Sequence, residues 1–315
     1  MAKKISIITT FYNAEKFIEH TLTSIWQQVV DPKLFTLEYV IVDDMSPDSS
    51  REKVENFMRT HTLNGDWRLI TPEQNLGCGG ARRFGIEAAT GDYFMFVDAD
   101  DYYINRDFVL RAFNDITSEE ADIVEYGIIF NHADGNKNYV TAPQKMVIEN
   151  NPHHAEILLF RDNLIKFNVW TKIYKREIVE SFRYSDLRTF EDVATIPVWI
   201  ANAKKIVIMP NVEINYRAAA GSIIRGNMVD TRVGTISAIA THFERFKDDP
   251  ELLKAMYVRS MIDIEALLNN HSSENEGFNE MSKLNTYMLK YIYPDTWQDK
   301  VFEVQEVSET ADSEK

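Results

Sequence analysis

Tyr93-Phe94-Met95-Phe96-Val97 runs without a polar residue straight into Asp98-Ala99-Asp100-Asp101. An unbroken apolar run of this length reads as a strand buried on both faces, and the carboxylates mark where it leaves the core. The same pattern stands upstream. Residues 38–44 (EYVIVDD) end on Asp43-Asp44, and residues 5–13 (ISIITTFYN) pass from a β-branched run into Tyr12-Asn13. Between them, Phe17, Ile18, Leu22, Ile25, Trp26 and Val29 recur at helical spacing over 15–30. A second helix is expected over about 49–60, a strand over 67–70, a Gly-rich turn over 75–80 and a helix over about 81–89. Strand and helix alternate throughout, which predicts an α/β fold whose mostly parallel sheet is flanked by helices. In such sheets ligands bind beyond the carboxyl ends of the strands. Thr9–Asn13, Asp43–Asp48 and Asp98–Asp101 all fall there, so three oxygen-rich loops are expected to meet on one edge.

Further along, helices are expected over 106–116, 153–166 and 192–203, and strands over 122–130 and 205–209, the last ended by Pro210. A polar hairpin is expected around 133–138. From about 229 the pattern is wholly helical (229–246, 250–269 and, more weakly patterned, 279–292). This gives a domain of 1–225, with a first half of about 1–101 and a second of about 102–225. A helical region at 226–302 and an acidic tail at 303–315 complete the division, the boundary lying near Gly221–Gly226. Apolar positions such as Met256, Ile262, Ile264, Leu267 and Leu268 fit a covered core, an acceptor site or a homo-oligomer interface.

Composition narrows the classes. In 315 residues, 44% hydrophobic content suffices for a full core, which excludes a mainly disordered chain. Lys and Arg number 34 against 49 Asp and Glu, a net charge of −15, which argues against broad nucleic-acid binding. The single cysteine, Cys78, can form neither an internal disulfide nor a Cys-rich zinc site, so a reducing cytoplasm is expected. No run reaches the ~18 apolar residues of a spanning helix. The apolar stretch after Lys4 reads as a first strand rather than a signal peptide, so the mature protein is expected to start near Met1.

Each polar cluster has two readings. Asp98, Asp100 and Asp101 would repel one another unless a cation offset them, and they offer hard oxygen ligands to Mg²⁺ or Mn²⁺; they also suit a helix N-terminus. Asp43 and Asp44 could accept a hydrogen bond from a nucleobase edge, or lie in a solvated turn. Gly77, Gly79 and Gly80 precede Arg82 and Arg83, cations at the positive end of a helix, which suggests an external anion such as a diphosphate. Cys78 reads as a small turn residue, and His153-His154 as a surface pair at a helix start. Glu191-Asp192 is either a first-turn acidic pair or the general base for an acceptor hydroxyl.

Five segments, 5–28, 38–50, 75–101, 169–179 and 190–217, resemble family-2 glycosyltransferases of the GT-A fold in order and spacing, as in cell-wall, capsule and lipopolysaccharide sugar transferases of bacteria and phages. The resemblance covers about the first 225 residues. It implies a Rossmann-like sheet and a metal-dependent inverting transferase that uses a nucleotide-diphosphate sugar, UDP-linked, with Mn²⁺ or Mg²⁺. Thr10, Tyr12, Asn13 and Glu15 would form the nucleotide loop, and Asp43 or Asp44 would read the uracil. Gly77 and Arg82 would reach the nucleotide. Asp98 and Ala99 would lie beside the ribose, with Asp98 and Asp100 at the metal. Asp192, next to Glu191, would be the base, and Trp170 and Lys172 would lie on the acceptor side.

The chain departs from the family at Thr10 (usually Pro), Met45-Ser46-Pro47 (usually Gly-Ser-Thr) and Arg83 (usually Asn). The implied acceptor is a glycan or glycoconjugate, with peripheral attachment to the inner membrane face left open. A catalytically silent nucleotide-sugar-binding partner subunit is the alternative. A sugar nucleotidyltransferase is disfavoured, because its Gly-rich Arg loop would follow the first strand, where Thr9–Glu15 stands.

Overall fold

The computed structural model of the chain describes residues 2–131, 136–217, 238, 242–246 and 248–256. The first three strands, β1 (Lys3–Phe11), β2 (Phe35–Asp43) and β3 (Asp66–Ile70), alternate with α1 (Ile18–Trp26) and α2 (Ser50–Thr60). Next come α3 (Gly77–Ala88), β4 (Tyr93–Phe96), the two-residue β5 (Tyr102–Tyr103) and α4 (Phe108–Ser118). Strands β6 (Ile123–Asn131), β7 (Lys137–Val140) and β8 (Met146–Glu149) lead to α5 (Pro152–Phe160). They are followed by β9 (Lys172–Lys175), α6 (Arg176–Ser181), α7 (Glu191–Asn202) and β10 (Lys205–Arg217).

One ten-stranded sheet runs β3-β2-β1-β4-β9-β6-β10-β5, with β7 on β6 and β8 on β10. β1 pairs in parallel with both β2 and β4, placing Ile8 beside Val40 and Phe96. Tyr39, Val40, Ile41 and Val42 have no solvent exposure, as a strand covered on both faces requires. The strand ends therefore coincide, and the loops after β1, β2 and β4 share one edge. β9 lies antiparallel to both β4 and β6, so the sheet is mixed and mostly parallel.

Two expectations change. The glycines of 77–80 are not a turn before a helix but the first turn of α3 itself. The start of that helix is held from another loop: the Asp44 carboxylate accepts the Leu76 and Gly77 N–H groups at 2.7 and 2.9 Å. Gly79 serves close approach, since a Cβ there would stand 2.4 Å from the Leu187 carbonyl oxygen. Pro210 does not end the last strand either. β10 continues to Arg217, and its register with β6 shifts between Ile208 and Val212, a bulge at which the missing N–H is tolerated.

By contact the chain divides into residues 1–155 with 164–220, and 156–163 with 221–315. In the second unit, Arg245 pairs with Glu156 at 2.6 Å and Arg161 with Glu251 at 2.8 Å, while Phe160 meets Phe246 edge-on. Of the expected C-terminal helices, α8 (Phe243–Phe246) and a helical segment at 250–256 are described, with Met256 buried. Residues 257–292 and the tail at 303–315 lie outside the described residues, as does the expected boundary near Gly221–Gly226.

Candidate active site

The loops after β1 and β2 are laced together by short side chains. Asn13 N–H donates to Ser46 Oγ at 2.7 Å, Ala14 N–H to Ser50 Oγ at 2.9 Å, and Glu15 N–H to Asp48 Oδ2 at 2.9 Å. Burial opposes ionisation of Asp48, but hydrogen bonds from Ser50, Ser46 and backbone N–H groups hold its pKa down at about 2. Glu15 accepts from Ser49 Oγ at 2.7 Å, so its carboxylate braces the two loops. Thr10 lies opposite Val42 one residue before the end of β1, and Tyr12 stands more than half exposed at the rim.

Asp43 and Asp44 are both 3% exposed but differently engaged. Both oxygens of Asp44 serve the start of α3. Asp43 Oδ1 accepts Ser46 N–H at 2.8 Å, closing a tight turn, and Oδ2 faces Arg51 at 3.2 Å.

After β4, Asp98, Asp100 and Asp101 crowd together. Burial, then the Asp98 charge, push Asp100 up to about 6. Burial, then Asp100 and Asp98, push Asp101 well above the carboxylate range. Asp101 Oδ1 accepts the Arg217 N–H at 2.9 Å, while among the described residues its buried Oδ2 has no hydrogen-bond partner. The Ala99 carbonyl is fixed by Thr21 Oγ1 at 2.9 Å.

Arg82 joins the two halves of the site. Its guanidinium, 3% exposed, reaches Asp98 Oδ1 and Tyr184 Oη at 2.8 and 2.9 Å and is ion-paired with Glu191. The sequence pointed this arginine at an external anion; the fold surrounds it with two carboxylates of the chain. Arg83 instead pairs with Asp186 at 2.6 Å. Asp192 follows Glu191 in the first turn of α7, where its Oδ1 accepts the Val193 N–H at 2.8 Å. Burial, then the Glu191 charge, push Asp192 up to about 7. Phe190, just before the pair, has a left-handed backbone (φ 59°), as do Asn13 (58°) and Met45 (63°). Three of the six left-handed non-glycine residues among the described residues thus lie on loops of this edge.

Trp170 and Lys172 are buried. Trp170 stacks on Tyr216 with ring centres 5.7 Å apart. Lys172 Nζ donates to the Lys166 and Asn168 carbonyls at 2.6 and 2.9 Å and lies 3.3 Å from Glu125. As placed, this ammonium fixes the 166–171 segment rather than facing solvent. Sequence reading missed Tyr184, Arg188, Asp186 and Arg217. The first three lie on the segment before α7, which crosses the start of α3: Gly79 N–H donates to Leu187 O at 3.2 Å, and Arg188 holds Asn75 Oδ1 at 3.0 Å. No local pattern announces partners more than a hundred positions apart.

Among the described residues, no group of three or more His, Cys, Asp or Glu could hold a metal ion by itself. The donor set suits a cation that takes one or two carboxylates and completes its shell with phosphate and water, as Mg²⁺ does. The crowding that raises Asp100, and the unpartnered Asp101 oxygen, are what a nearby positive charge would relieve. A cleft of ≈480 Å³ at the opposite end of the strands is lined by ion pairs, Lys3–Asp92 and Lys175–Asp122 among them. Among the described residues, no helix is long and apolar enough to cross a membrane.

The model of the family "Glycosyl transferase family 2" matches residues 6–182, more than half of the chain. The glycosyltransferase GlyG of Streptococcus pneumoniae serotype 4 is 28% identical over 237 residues, 71% of this chain and 74% of GlyG. Against GlyA of the same organism and EpsH of Bacillus subtilis, the chain spans only 32% and 49% of their length. Among solved structures, S. aureus TarS 1-349 in complex with UDP-GlcNAc superposes with a TM-score of 0.69 at 18% identity, covering 92% of this chain and 81% of that one. The mannosyltransferase PcManGT of Pyrobaculum calidifontis, in complex with GDP-Man and Mn²⁺, gives 0.55 at 16%, covering 94% and 88%. These two likenesses establish the GT-A sheet.

Proposed function

Because the chain belongs to glycosyl transferase family 2, and is a glycosyltransferase, we propose that it moves a sugar from a UDP-linked donor to an acceptor hydroxyl of a glycan or glycoconjugate, with inversion. One observation supports this most: Arg82 ties Asp98, at the end of β4, to Glu191, beside Asp192 at the start of α7. Donor-side and acceptor-side carboxylates thus share one rigid connection.

Asp43 is the better candidate for reading the base: both Asp44 oxygens accept backbone N–H groups at the start of α3, whereas Asp43 Oδ2 is met only by the half-exposed Arg51 side chain at 3.2 Å, a partner that a ligand can displace. Tyr12 stands exposed on the adjoining β1 loop, which Asn13 N–H ties to Ser46. Asp98 and Asp100 would hold a divalent cation, which when bound would offset charge on the departing diphosphate. Asp192 takes the proton from the acceptor hydroxyl as that oxygen attacks the anomeric carbon from the side opposite the diphosphate. The UDP-GlcNAc complex of TarS supports a UDP donor, and the Mn²⁺ of PcManGT supports a divalent cation.

Calorimetric titration with UDP tests the donor half. Wild type should bind UDP more tightly with Mn²⁺ than with EDTA. Asp100→Asn should lose roughly 10–100-fold of the Mn²⁺-dependent affinity or more, since even outer partners of a metal are worth that much. Equal UDP affinity in the variant would refute the assignment.

The acceptor half predicts a pH profile. Asp192 must be ionised to accept a proton, and it is pushed up to about 7. kcat/KM should therefore rise with pH up to about 7 and level off above it. A rate already level at pH 5 would remove Asp192 from the role.

A further inference from the structure

Beside the carboxylate assigned to the base stands a large apolar residue that is both exposed and left-handed in its backbone. Met45 adopts φ 63°, a region that L side chains enter at a cost and glycine enters freely. Its side chain does not offset that cost by burial, since Met45 is 48% exposed. It occupies the turn that Asp43 closes through Ser46 N–H at 2.8 Å. The same Ser46 receives Asn13 N–H at 2.7 Å, which brings Met45 within one residue of a bridge to the β1 loop, where Tyr12 is 55% exposed. Two large apolar side chains thus flank a nearly buried carboxylate on adjoining loops, each beside a left-handed residue or in one.

From this we infer that Met45 is a nucleoside-binding residue of the donor site: its thioether side chain covers a face of the base whose edge Asp43 reads. The inference rests on the nucleotide-sugar reading above and adds to it a contact specific to this chain. An aromatic base is flat and apolar on its faces and polar at its edge. A flexible, polarisable methionine two residues from a carboxylate whose Oδ2 is held only by the half-exposed Arg51 suits both. Covering the side chain with the base would remove from water the surface that the fold leaves exposed.

The test separates binding from folding by glycine substitution. Met45→Gly suits the left-handed backbone, so its melting temperature without nucleotide should equal or exceed that of wild type. Its affinity for UDP with Mn²⁺ should fall about tenfold, the scale of burying part of one apolar side chain. Affinity for pyrophosphate with Mn²⁺, which carries no base, should stay within about twofold, because an apolar contact to the base adds nothing to it. Met45→Leu, which keeps the apolar bulk, should bind UDP within about twofold of wild type, as volume-conserving apolar exchanges usually do.

Undiminished UDP affinity in Met45→Gly would overturn the inference while leaving the donor site standing, as would an equal loss for UDP and pyrophosphate. Failure of wild type to bind UDP at all would overturn the nucleotide reading itself, and this inference with it.

Discussion

Asp192→Asn should lower sugar transfer roughly a thousandfold, the usual scale for losing a general base, while Mn²⁺-dependent UDP binding stays close to wild type. The amide keeps the size of the side chain and can still accept from Val193 N–H through its carbonyl oxygen. What it cannot do is take a proton. Stability should move the other way. In the folded state Asp192 is raised to about 7, so between the ordinary carboxylate range and pH 7 the native protein holds a proton that the unfolded chain releases. Stability drawn from that proton is present at low pH and lost as pH rises through about 7. Asparagine removes the cost of the buried charge. The variant should therefore melt higher than wild type at pH 8, and the difference should shrink toward pH 4. A variant that melts lower than wild type at pH 8 would show that the ionised carboxylate serves the fold.

Arg82→Met should be the most damaging single change to the scaffold of the site. It leaves the Glu191 carboxylate, 7% exposed, with no cation, and strips Asp98 of a 2.8 Å partner. Breaking a buried pair from one side typically costs about 3–5 kcal/mol, which for a domain of this size is on the order of 10 °C in melting temperature. Arg82→Lys keeps the charge but cannot span Asp98, Glu191 and Tyr184 at once, because a single ammonium replaces a planar fork. It should fall between the two. Adding Glu191→Gln to Arg82→Met should recover much of the loss, since it removes the uncompensated charge. Melting curves of these four proteins and of Glu191→Gln alone check this, and additive losses in the double variant would refute the coupling.

The sheet edge was legible because buried parallel strands are dominated by β-branched and aromatic residues, with carboxylates or other polar side chains clustering where they leave the core. Ile5–Thr9, 38–42 and 93–97 therefore announced both the strands and the loops beyond them. Less legible was whatever depends on partners distant in sequence. The glycines before Arg82 suggested a turn, but their need arises from the 185–187 backbone crossing α3 and from Asp44 capping it from another loop. Arg82 suggested an open anion site because Glu191 and Tyr184 lie more than a hundred positions away. Lys172 stood in a segment matched to the acceptor side, and nothing local shows that Glu125 and two carbonyls would enclose it. Pro210 stopped the strand on paper, whereas a bulge lets β10 continue past it to Arg217.

Metal-assisted inverting transfer at one edge of the sheet can be tested without knowing the acceptor. Water can replace the acceptor slowly, so proton NMR of a panel of α-linked UDP-sugars incubated with the protein and Mn²⁺ reports the first-formed anomer of the released sugar. Inverting transfer should give UDP release that requires Mn²⁺, is lost in Asp192→Asn, and yields the β anomer before mutarotation. First appearance of the α anomer, or undiminished release in EDTA, would contradict it.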